Sequence, residues 1–295
     1  ITSQFDYSPI DNFEFQKNRI KVRVRSVADI EEYRFYSYLD LLYPVNAETI
    51  RHFAQFNGNL FTFDDAFGQQ QELSMDGLEK RIKQKSIVSR RFLFGTDHFG
   101  RDLLSRIMAG GFVSLTIGFI SVLISLIIGS TIGLIAGYFG GRVDQFFSWV
   151  INVFWSVPSI LLVIAINMVF GYGLTGLLIG ISLILWVEMA QLVRGEVKML
   201  REKEFIKAAQ LMGLSNWRIL YYHILPNISG SIIVLCSSNF AEAILLESGL
   251  SFLGIGIQAP MPSWGNMIRE SYGYIVTQGA YMPIIPGITI VLTVL

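Results

Sequence analysis

Charged residues, cysteine and histidine are all scarce in this sequence. Charged residues make up 16% of the 295 positions and hydrophobic residues 52%. A soluble domain carries about a quarter charged residues, so the deficit indicates a membrane protein. Because Cys236 is the single cysteine, an intrachain disulfide is excluded.

Motifs for catalysis and metal binding are also missing. His52 and His98 lie far apart and lack the spacing of metal ligands, and no histidine falls in an apolar segment. The phosphate-binding pattern G-x-x-x-x-G-K-S/T does not occur. The formal net charge is +0 and there is no basic stripe of the kind that binds nucleic acid. We therefore expect no catalytic residue, no metal site and no nucleic-acid partner.

The charge that is present is concentrated at the front of the chain. Of the 23 Lys and Arg residues, 15 precede residue 112, as do 15 of the 23 Asp and Glu residues. We predict a polar region over 1–105, of mostly irregular or mixed structure, and a membrane domain over 106–295. Alternating charged and apolar residues at 19–27 predict a half-buried strand, and 74–86 predicts a charged surface helix.

Long apolar segments fill the rest of the chain. About 20 apolar residues cross a hydrocarbon core of about 30 Å. On this basis we predict five visible spans, at about 112–137, 145–170, 174–193, 228–250 and 283–295. Pro158 predicts a kink in the second span. Gly129, Gly133 and Gly137 recur every four residues, which predicts close approach of another helix.

The longest polar run of the membrane domain, residues 194–226, separates the third and fourth spans. An apolar stripe with helical spacing runs along its first half: Phe205, Ala208, Ala209 and Met212. Gly213 follows, where a helix commonly ends in a left-handed turn. Ser215 can then cap a second short helix, and Pro226 suits the first turn of a third. We expect this exposed amphipathic segment to dock onto a partner.

The same stretch resembles the EAA loop of binding-protein-dependent ABC importer permeases. The matching residues are Glu204, Ala208, Ala209, Gly213, Leu225 and Pro226, with Pro226 thirteen residues after Gly213. One position departs, because His223 stands where the pattern often has Ile. In that family the loop is a coupling helix that fits a cleft in the cytoplasmic ATPase. The resemblance therefore implies that these six residues dock an ATPase.

A second match lies just before the first span. Its residues are Gly95, Thr96, Asp97, Gly100, Arg101 and Asp102, and they resemble the signature of the peptide and nickel permease subfamily. Physically this is a glycine-rich turn, in which Asp97 or Asp102 can cap a helix that begins near Leu103. Arg101 can pair with a carboxylate. We expect a structural role rather than substrate contact.

Two acidic residues fall in the fourth predicted span, where a carboxylate is costly and normally faces a cavity or a partner. We therefore name Glu242 and Glu247 as residues of the translocation path. For Glu242, lining a path and bonding to Ser237, Ser238 or a neighbouring helix are both open. Glu247 begins a segment that resembles a family motif at the outer end of a core helix, which favours a structural role.

The segment 260–268 matches the family's P-x-P-S-W-G pattern. Its prolines exclude a regular helix over the whole segment. We interpret it as an outer loop or a short interfacial helix, with Trp264 at the level of the lipid headgroups.

Basic residues predict the orientation. Six of them crowd the docking loop: Arg194, Lys198, Arg201, Lys203, Lys207 and Arg218. Residues 251–282 contain a single basic residue, Arg269. Because basic residues concentrate on the cytoplasmic side, we expect the docking loop in the cytoplasm. Counting spans then puts residues 1–105 outside. Residue 1 is Ile and Leu295 lies in an apolar run, so we interpret the chain as a fragment cut at both ends, with a preceding span.

The resemblance covers about residues 94–295. It implies an all-α polytopic membrane protein with the transmembrane domain of a type I ABC importer, in the bacterial plasma (inner) membrane. It also implies a path for di- and oligopeptides, or for nickel as the rarer cargo. The implied partners are a second permease subunit in a heterodimer, two cytoplasmic ATPase subunits, an extracytoplasmic binding protein and the lipid bilayer. ATP and Mg would be bound by the ATPases, and no cofactor by this chain. An intramembrane enzyme, or an ATP-independent channel or secondary transporter, is the alternative.

Overall fold

The computed structural model of the chain divides into two compact units. The front unit comprises Ile1–Leu104 with Val276–Gly279, and the membrane unit comprises Ser105–Ile275 with Ala280–Leu295. The structure describes residues 10–16, 19–24, 32–37, 41, 55–57, 60–64, 70–87, 91–258, 260–276 and 279–295.

Two three-stranded antiparallel sheets and one helix make up the described part of the front unit. The first sheet has the order β1 (Ile10–Gln16), β2 (Arg19–Val24), β3 (Glu32–Ser37), and the second β4 (Gln55–Asn57), β5 (Leu60–Asp64), β6 (Gln70–Ser74). Helix α1 (Met75–Lys85) follows directly.

The alternation along β2 explains its place in the middle of the first sheet. Ile20 and Val22 are buried and form a cluster with Ile82 of α1. Their neighbours on the strand are polar and extend to the other face, where Lys21 lies over the ring of Tyr33 at 4.1 Å. The hydroxyl of Ser74 accepts a hydrogen bond from the Gly77 amide at 3.2 Å and caps α1. The predicted surface helix is confirmed, and so is the predicted strand over 19–24; its last residues, 25–27, lie outside the described residues.

Helices account for most of the remaining chain. They are α2 (Leu103–Phe139), α3 (Gly141–Trp155), α4 (Ser159–Phe170), α5 (Leu174–Arg201), α6 (Glu204–Leu211), α7 (Asn216–Ile219), α8 (Leu225–Phe252), α9 (Trp264–Ser271) and α10 (Tyr281–Val294). One π-helical turn, Leu220–Ile224, joins α7 to α8.

Among the described residues, three helical runs are long and apolar enough to cross a membrane: α2, α5 and the run Asn216–Phe252. A fourth crossing is possible through α3 and α4, which are bent by 87° at a short break. The kink predicted at Pro158 is therefore a full break, because proline lacks an N–H and its ring crowds the preceding turn. Helix α10 is apolar but only 14 residues long.

The small-residue stripe on α2 packs directly against α5. A Cβ at Gly129 would lie 2.6 Å from the carbonyl oxygen of Trp186, and one at Gly133 would lie 2.7 Å from that of Ala190. At Gly137 the carbonyl oxygen of Arg194 would be 2.8 Å away. These distances leave no room for a side chain, which confirms the predicted close helix contact.

Trp264 is buried within the protein, whereas the prediction made it a residue of the membrane interface. The residue is 4% exposed, and its indole Nε1 donates to the Ile107 carbonyl of α2 at 3.0 Å. Space for the ring comes from Gly111, where a Cβ would lie 2.8 Å from the indole. The short helix expected in this segment is α9, capped by the Ser263 hydroxyl, which accepts from the Asn266 amide.

Candidate functional site

The segment between α5 and α8 is a helix, a glycine turn and a second helix. At the end of α6, Gly213 has φ +78°. Its amide donates to the Gln210 carbonyl at 3.0 Å, and the Leu214 amide donates to the Ala209 carbonyl at 3.3 Å. This pair of bonds is the Schellman arrangement, which satisfies the last carbonyls of a helix and needs a residue in the left-handed region. The turn predicted at Gly213 is thus confirmed.

An exposed apolar surface covers this loop. We call it the docking face, and it consists of Phe205, Ala208, Leu211, Met212, Trp217, Tyr221 and Tyr222. Leu211 is 90% exposed and Met212 74%. The rings of Trp217 and Tyr221 stack with their centroids 6.2 Å apart. Several large apolar side chains exposed on one polar loop are typical of an interaction site.

Ala209 does not belong to the docking face, although the sequence pattern grouped it there. It is 2% exposed and lies in one buried cluster with Ile206, Ile219 and Ile224. The reason is that Ile206 and Ala209, three residues apart, share the inner side of α6. The stripe read from the sequence omitted Ile206 and therefore mixed the two faces of the helix.

A tyrosine from the end of α2 supports both halves of the loop. Tyr138 is 4% exposed, and its hydroxyl donates to Oδ1 of Asn216 at 3.0 Å. The same hydroxyl accepts from Nε2 of Gln210 at 3.4 Å. Gln210 precedes Gly213 and Asn216 follows it, so one side chain holds the two short helices at their angle.

The end of the loop is shaped by proline. Pro226 lies in the first turn of α8, as predicted. It cannot donate to the Tyr222 carbonyl and its ring crowds that group. The chain accommodates this with the π turn, in which the Leu225 amide bonds to the Leu220 carbonyl. Leu225 packs against the same buried cluster as Ala209.

The glycine-rich turn before α2 is organised by a buried aspartate. Asp97 is 3% exposed and accepts hydrogen bonds from the amides of Phe99 and Arg101. Its Oδ2 also forms a salt bridge with Nε of Arg101 at 2.7 Å. Asp102 caps α2 by accepting from the Leu104 amide at 3.2 Å. These bonds support the structural role expected for this turn.

Two other signature positions complete the turn. Gly95 and Gly100 have φ of +74° and +75°, a conformation that favours glycine. Thr96 pairs with Asp102 in an isolated antiparallel bridge. The Leu103 amide donates to the Gly95 carbonyl at 3.2 Å, which connects the turn to the first residue of α2.

Glu247 is buried inside the membrane unit and has no exposed surface. Its carboxylate accepts from the hydroxyl of Ser114 on α2 at 2.7 Å and from that of Ser251 at 2.7 Å. Ser248 adds a weaker bond at 3.4 Å. Glu247 thus fastens α8 to α2, which supports the structural role that its motif favoured.

Glu242 faces a cleft of about 280 Å³ at the break between α3 and α4. The cleft is lined by the break residues and by α5, and Glu188 of α5 faces it as well. None of its lining residues, all within the described stretch 91–258, is basic. A carboxylate pair with aromatic walls from Phe154 and Trp155 is a setting that favours a cationic group.

Sequence reasoning missed two residues of this architecture. Glu188 was assigned no role from the sequence, yet it shares the cleft with Glu242. The available signal was that Glu188 and Glu242 are two of the few acids in apolar segments. Tyr138 gave no signal, because an aromatic residue at the end of a span is ordinary.

Three comparisons bear on this chain. The family model described as "Binding-protein-dependent transport system inner membrane component" matches residues 129–295. The dipeptide transport system permease protein DppC of Alkalihalophilus pseudofirmus is 45% identical over 202 residues, which are 68% of this chain and 66% of the relative. The di/tripeptide permease DppC of Pseudomonas aeruginosa is 38% identical over 70% of this chain and 67% of its own length.

The oligopeptide permease OppC of Bacillus subtilis is 39% identical over 62% of this chain. The aligned region spans between 60% and 67% of the length of these three relatives. Among solved structures, a chain of the MetNI methionine ABC transporter in an inward-facing conformation matches with a TM-score of 0.52 at 19% identity. This match covers 65% of our chain and 91% of that one, and it confirms the predicted importer fold.

Proposed function

The chain belongs to the family of inner membrane components of binding-protein-dependent transport systems, in its peptide-permease group, and we propose that it is the permease subunit of an ATP-driven importer of short peptides. The observation that carries this proposal is the docking face on a loop of fixed geometry. A subunit whose cargo path is moved by a separate motor needs such a surface. Peptide cargo, rather than nickel, is supported by the names of the three relatives.

We propose that an ATPase subunit receives α6 and the glycine turn in a cleft on its surface. The six EAA residues then divide into two groups. Ala208 and the charged Glu204 are exposed and face the partner, whereas Ala209 and Leu225 pack inward and support them. Gly213 and Pro226 set the turns at either end. The chain itself has no catalytic site in this proposal, and ATP and Mg are bound by the ATPase.

The cleft at the break between α3 and α4 is our proposal for part of the translocation path. Glu242 and Glu188 face it together, and two carboxylates near one another favour a cationic group on the passing cargo. The α-ammonium group of a short peptide is such a group. Helices broken within the membrane commonly line cargo sites, because the unpaired backbone there needs a cavity.

The remaining partners follow from the same assignment. We propose a second permease subunit beside this one, two ATPases on the cytoplasmic side and an external binding protein that delivers the peptide. The protein is a multi-pass membrane protein, and we place it in the bacterial inner membrane. Its docking loop then faces the cytoplasm and its front unit faces outward.

Reconstitution tests the proposal. The full-length protein, co-expressed with the genes that adjoin it, is purified and incorporated into liposomes that contain ATP. We expect uptake of labelled di- and tripeptides that requires both ATP and the binding protein. Uptake that continues without the ATPase subunits would reject an ABC importer and favour a channel or secondary transporter.

A further inference from the structure

An ion cluster joins α3 to α5 near the docking loop. Oδ1 of Asp144 lies 2.5 Å from Nε of Arg194, and Oδ2 lies 2.6 Å from Nζ of Lys198. Nη2 of Arg194 adds a second bond to Oδ2 at 3.1 Å. The side chain of Asp144 is 15% exposed and that of Arg194 26%. Partial burial and a bidentate guanidinium make this pair stronger than an ordinary surface salt bridge.

Apolar packing also holds α3 against α5, because Val150, Ile151 and Phe154 belong to one cluster with Trp186, Val187 and Ala190. Of its 15 residues, all of which the structure describes, Ile151 is the buried one. Near its far end Phe154 packs edge-on against Trp186 of α5, with the ring centroids 5.4 Å apart. The helix is thus held near its start by an ionic contact and along its second half by apolar contacts.

The ionic contact lies on the part of α5 that also carries the docking loop. Val193 and Val197, which flank Arg194 and Lys198 in sequence, belong to the buried cluster that contains Ile206 of α6. One side of α5 therefore packs on α6, and its neighbouring residues bind α3. These contacts connect α6 to α5 by packing and α5 to α3 through Asp144, so a displacement of α6 would reach α3 by this route.

The other end of α3 lies at the cleft. Trp155, its last residue, lines the cleft that Glu188 and Glu242 face. We infer that Asp144 is a positioning residue that couples movement of the docking loop to the shape of this cleft. The inference rests on the proposed transport function but names a residue which that function does not require.

The spacing of the two cations on α5 allows Asp144 to contact both of them. Arg194 and Lys198 are four residues apart, so they lie on one side of α5 and one turn from each other. Asp144 contacts both cations at once, so a shift of α3 along α5 that breaks one of the two contacts would leave the other.

The test uses the complete transporter in liposomes and measures ATP hydrolysed and peptide imported in the same sample. Asp144→Asn keeps the shape of the side chain and removes its charge. We expect assembled complexes that still hydrolyse ATP but import fewer peptides per ATP, by on the order of tenfold. The double variant Asp144→Arg with Arg194→Asp restores the pair in reverse and should recover part of the ratio. Glu196→Gln, which removes an acid from α5 beside Arg194, is the control and should leave the ratio unchanged.

Two outcomes would overturn the inference. If Asp144→Asn lowers only the amount of assembled complex, or lowers hydrolysis and uptake in equal proportion, Asp144 is merely structural. If that variant does not assemble, Lys198→Gln decides, because its side chain is 41% exposed and its loss does not threaten folding. An unchanged ratio in Lys198→Gln would then reject the inference. Failure of the unmodified complex to import peptides would instead reject the proposed function.

Discussion

The hydroxyl of Tyr138 donates a hydrogen bond to Oδ1 of Asn216 at 3.0 Å, across 78 positions of sequence. This bond connects the end of α2 to the second helix of the docking loop. Since α2 also packs on α5 through its glycine stripe, α2 contacts both the helix that leads into the loop and the second helix of the loop. An ATPase subunit bound to the loop, as we propose, would therefore act on the membrane helices.

Removing this support should weaken coupling without unfolding the protein. In Tyr138→Phe the ring stays in place and the bonds to Asn216 and Gln210 are lost, at a cost of about 1 kcal/mol each. We expect normal amounts of protein and reduced peptide uptake. Tyr172→Phe, on an exposed tyrosine outside the loop, is the control. Equal uptake by the two variants would mean that Tyr138 does not help to position the loop.

The glycine stripe makes a prediction about stability. Gly133→Ala puts a methyl group 2.7 Å from the Ala190 carbonyl and should destabilise the packing of α2 on α5 by about 1–3 kcal/mol. Gly195→Ala adds the same group where nothing lies within 4 Å, and should be neutral or slightly stabilising. Thermal unfolding in detergent measures both. A lower melting temperature for Gly195→Ala than for Gly133→Ala would contradict the helix contact.

Glu242 and Glu247 should respond differently to the same change. Glu247→Gln removes one acceptor from the bonds that Ser114 and Ser251 donate, so we expect a loss of folded protein. Glu242 faces the cleft, so Glu242→Gln should lower uptake and leave the amount of protein unchanged. Quantified membrane levels beside uptake separate the two effects. Normal uptake in Glu242→Gln would favour a plain hydrogen-bonding role for this residue.

The turn before α2 provides a matched pair of acids. Asp97 accepts two amide N–H bonds and a salt bridge from within a buried site, so Asp97→Asn should cost about 1–3 kcal/mol. Asp102 acts as a helix cap, and asparagine caps nearly as well, so Asp102→Asn should be close to neutral. Limited proteolysis of the purified protein reports on the turn. Equal sensitivity of the two variants would mean that Asp97 does not organise it.

Much of this architecture could be predicted because it depends on local rules. The glycine spacing on α2, the positive φ at Gly213 and the early position of Pro226 each follow from the backbone of one segment. The position of the break at Pro158 was predicted, but its bend angle was not. The missing N–H shows where a helix is weakened, and it does not determine the angle between the two parts.

What could not be predicted depends on contacts between segments distant in sequence. Tryptophan is a common residue at the membrane interface. The burial of Trp264 depends on the space beside Gly111 of α2, about 150 residues earlier in the sequence. That Glu188 and Glu242 line the same cleft likewise depends on how α5 and α8 are oriented relative to each other. Ala209 was assigned to the wrong face because an apolar stripe does not reveal which of two adjacent apolar edges turns inward.

The glycine turn itself can be tested against a matched helix glycine. Gly213→Val forces a β-branched residue into the left-handed region, at about 1–2 kcal/mol, and should misdirect α7. Gly230→Val introduces the same side chain on α8 where nothing lies within 4 Å. We expect weak association of the ATPase and little uptake for the first variant only. If both retain the ATPase equally, the angle of the turn does not matter for docking.

The most direct test of docking is co-purification of the ATPase subunits with a charge placed on the docking face. Met212→Asp puts an unpaired carboxylate on a side chain that is 74% exposed and, in our account, buried in the ATPase cleft. Met108→Asp is the matched control, because Met108 is 70% exposed and lies about 45 Å along α2 from Tyr138. The account predicts that Met212→Asp reaches the membrane in normal amount and loses the ATPase, whereas Met108→Asp retains it. Retention of the ATPase by Met212→Asp at the level of the unmodified protein would contradict the claim that this loop is the coupling site.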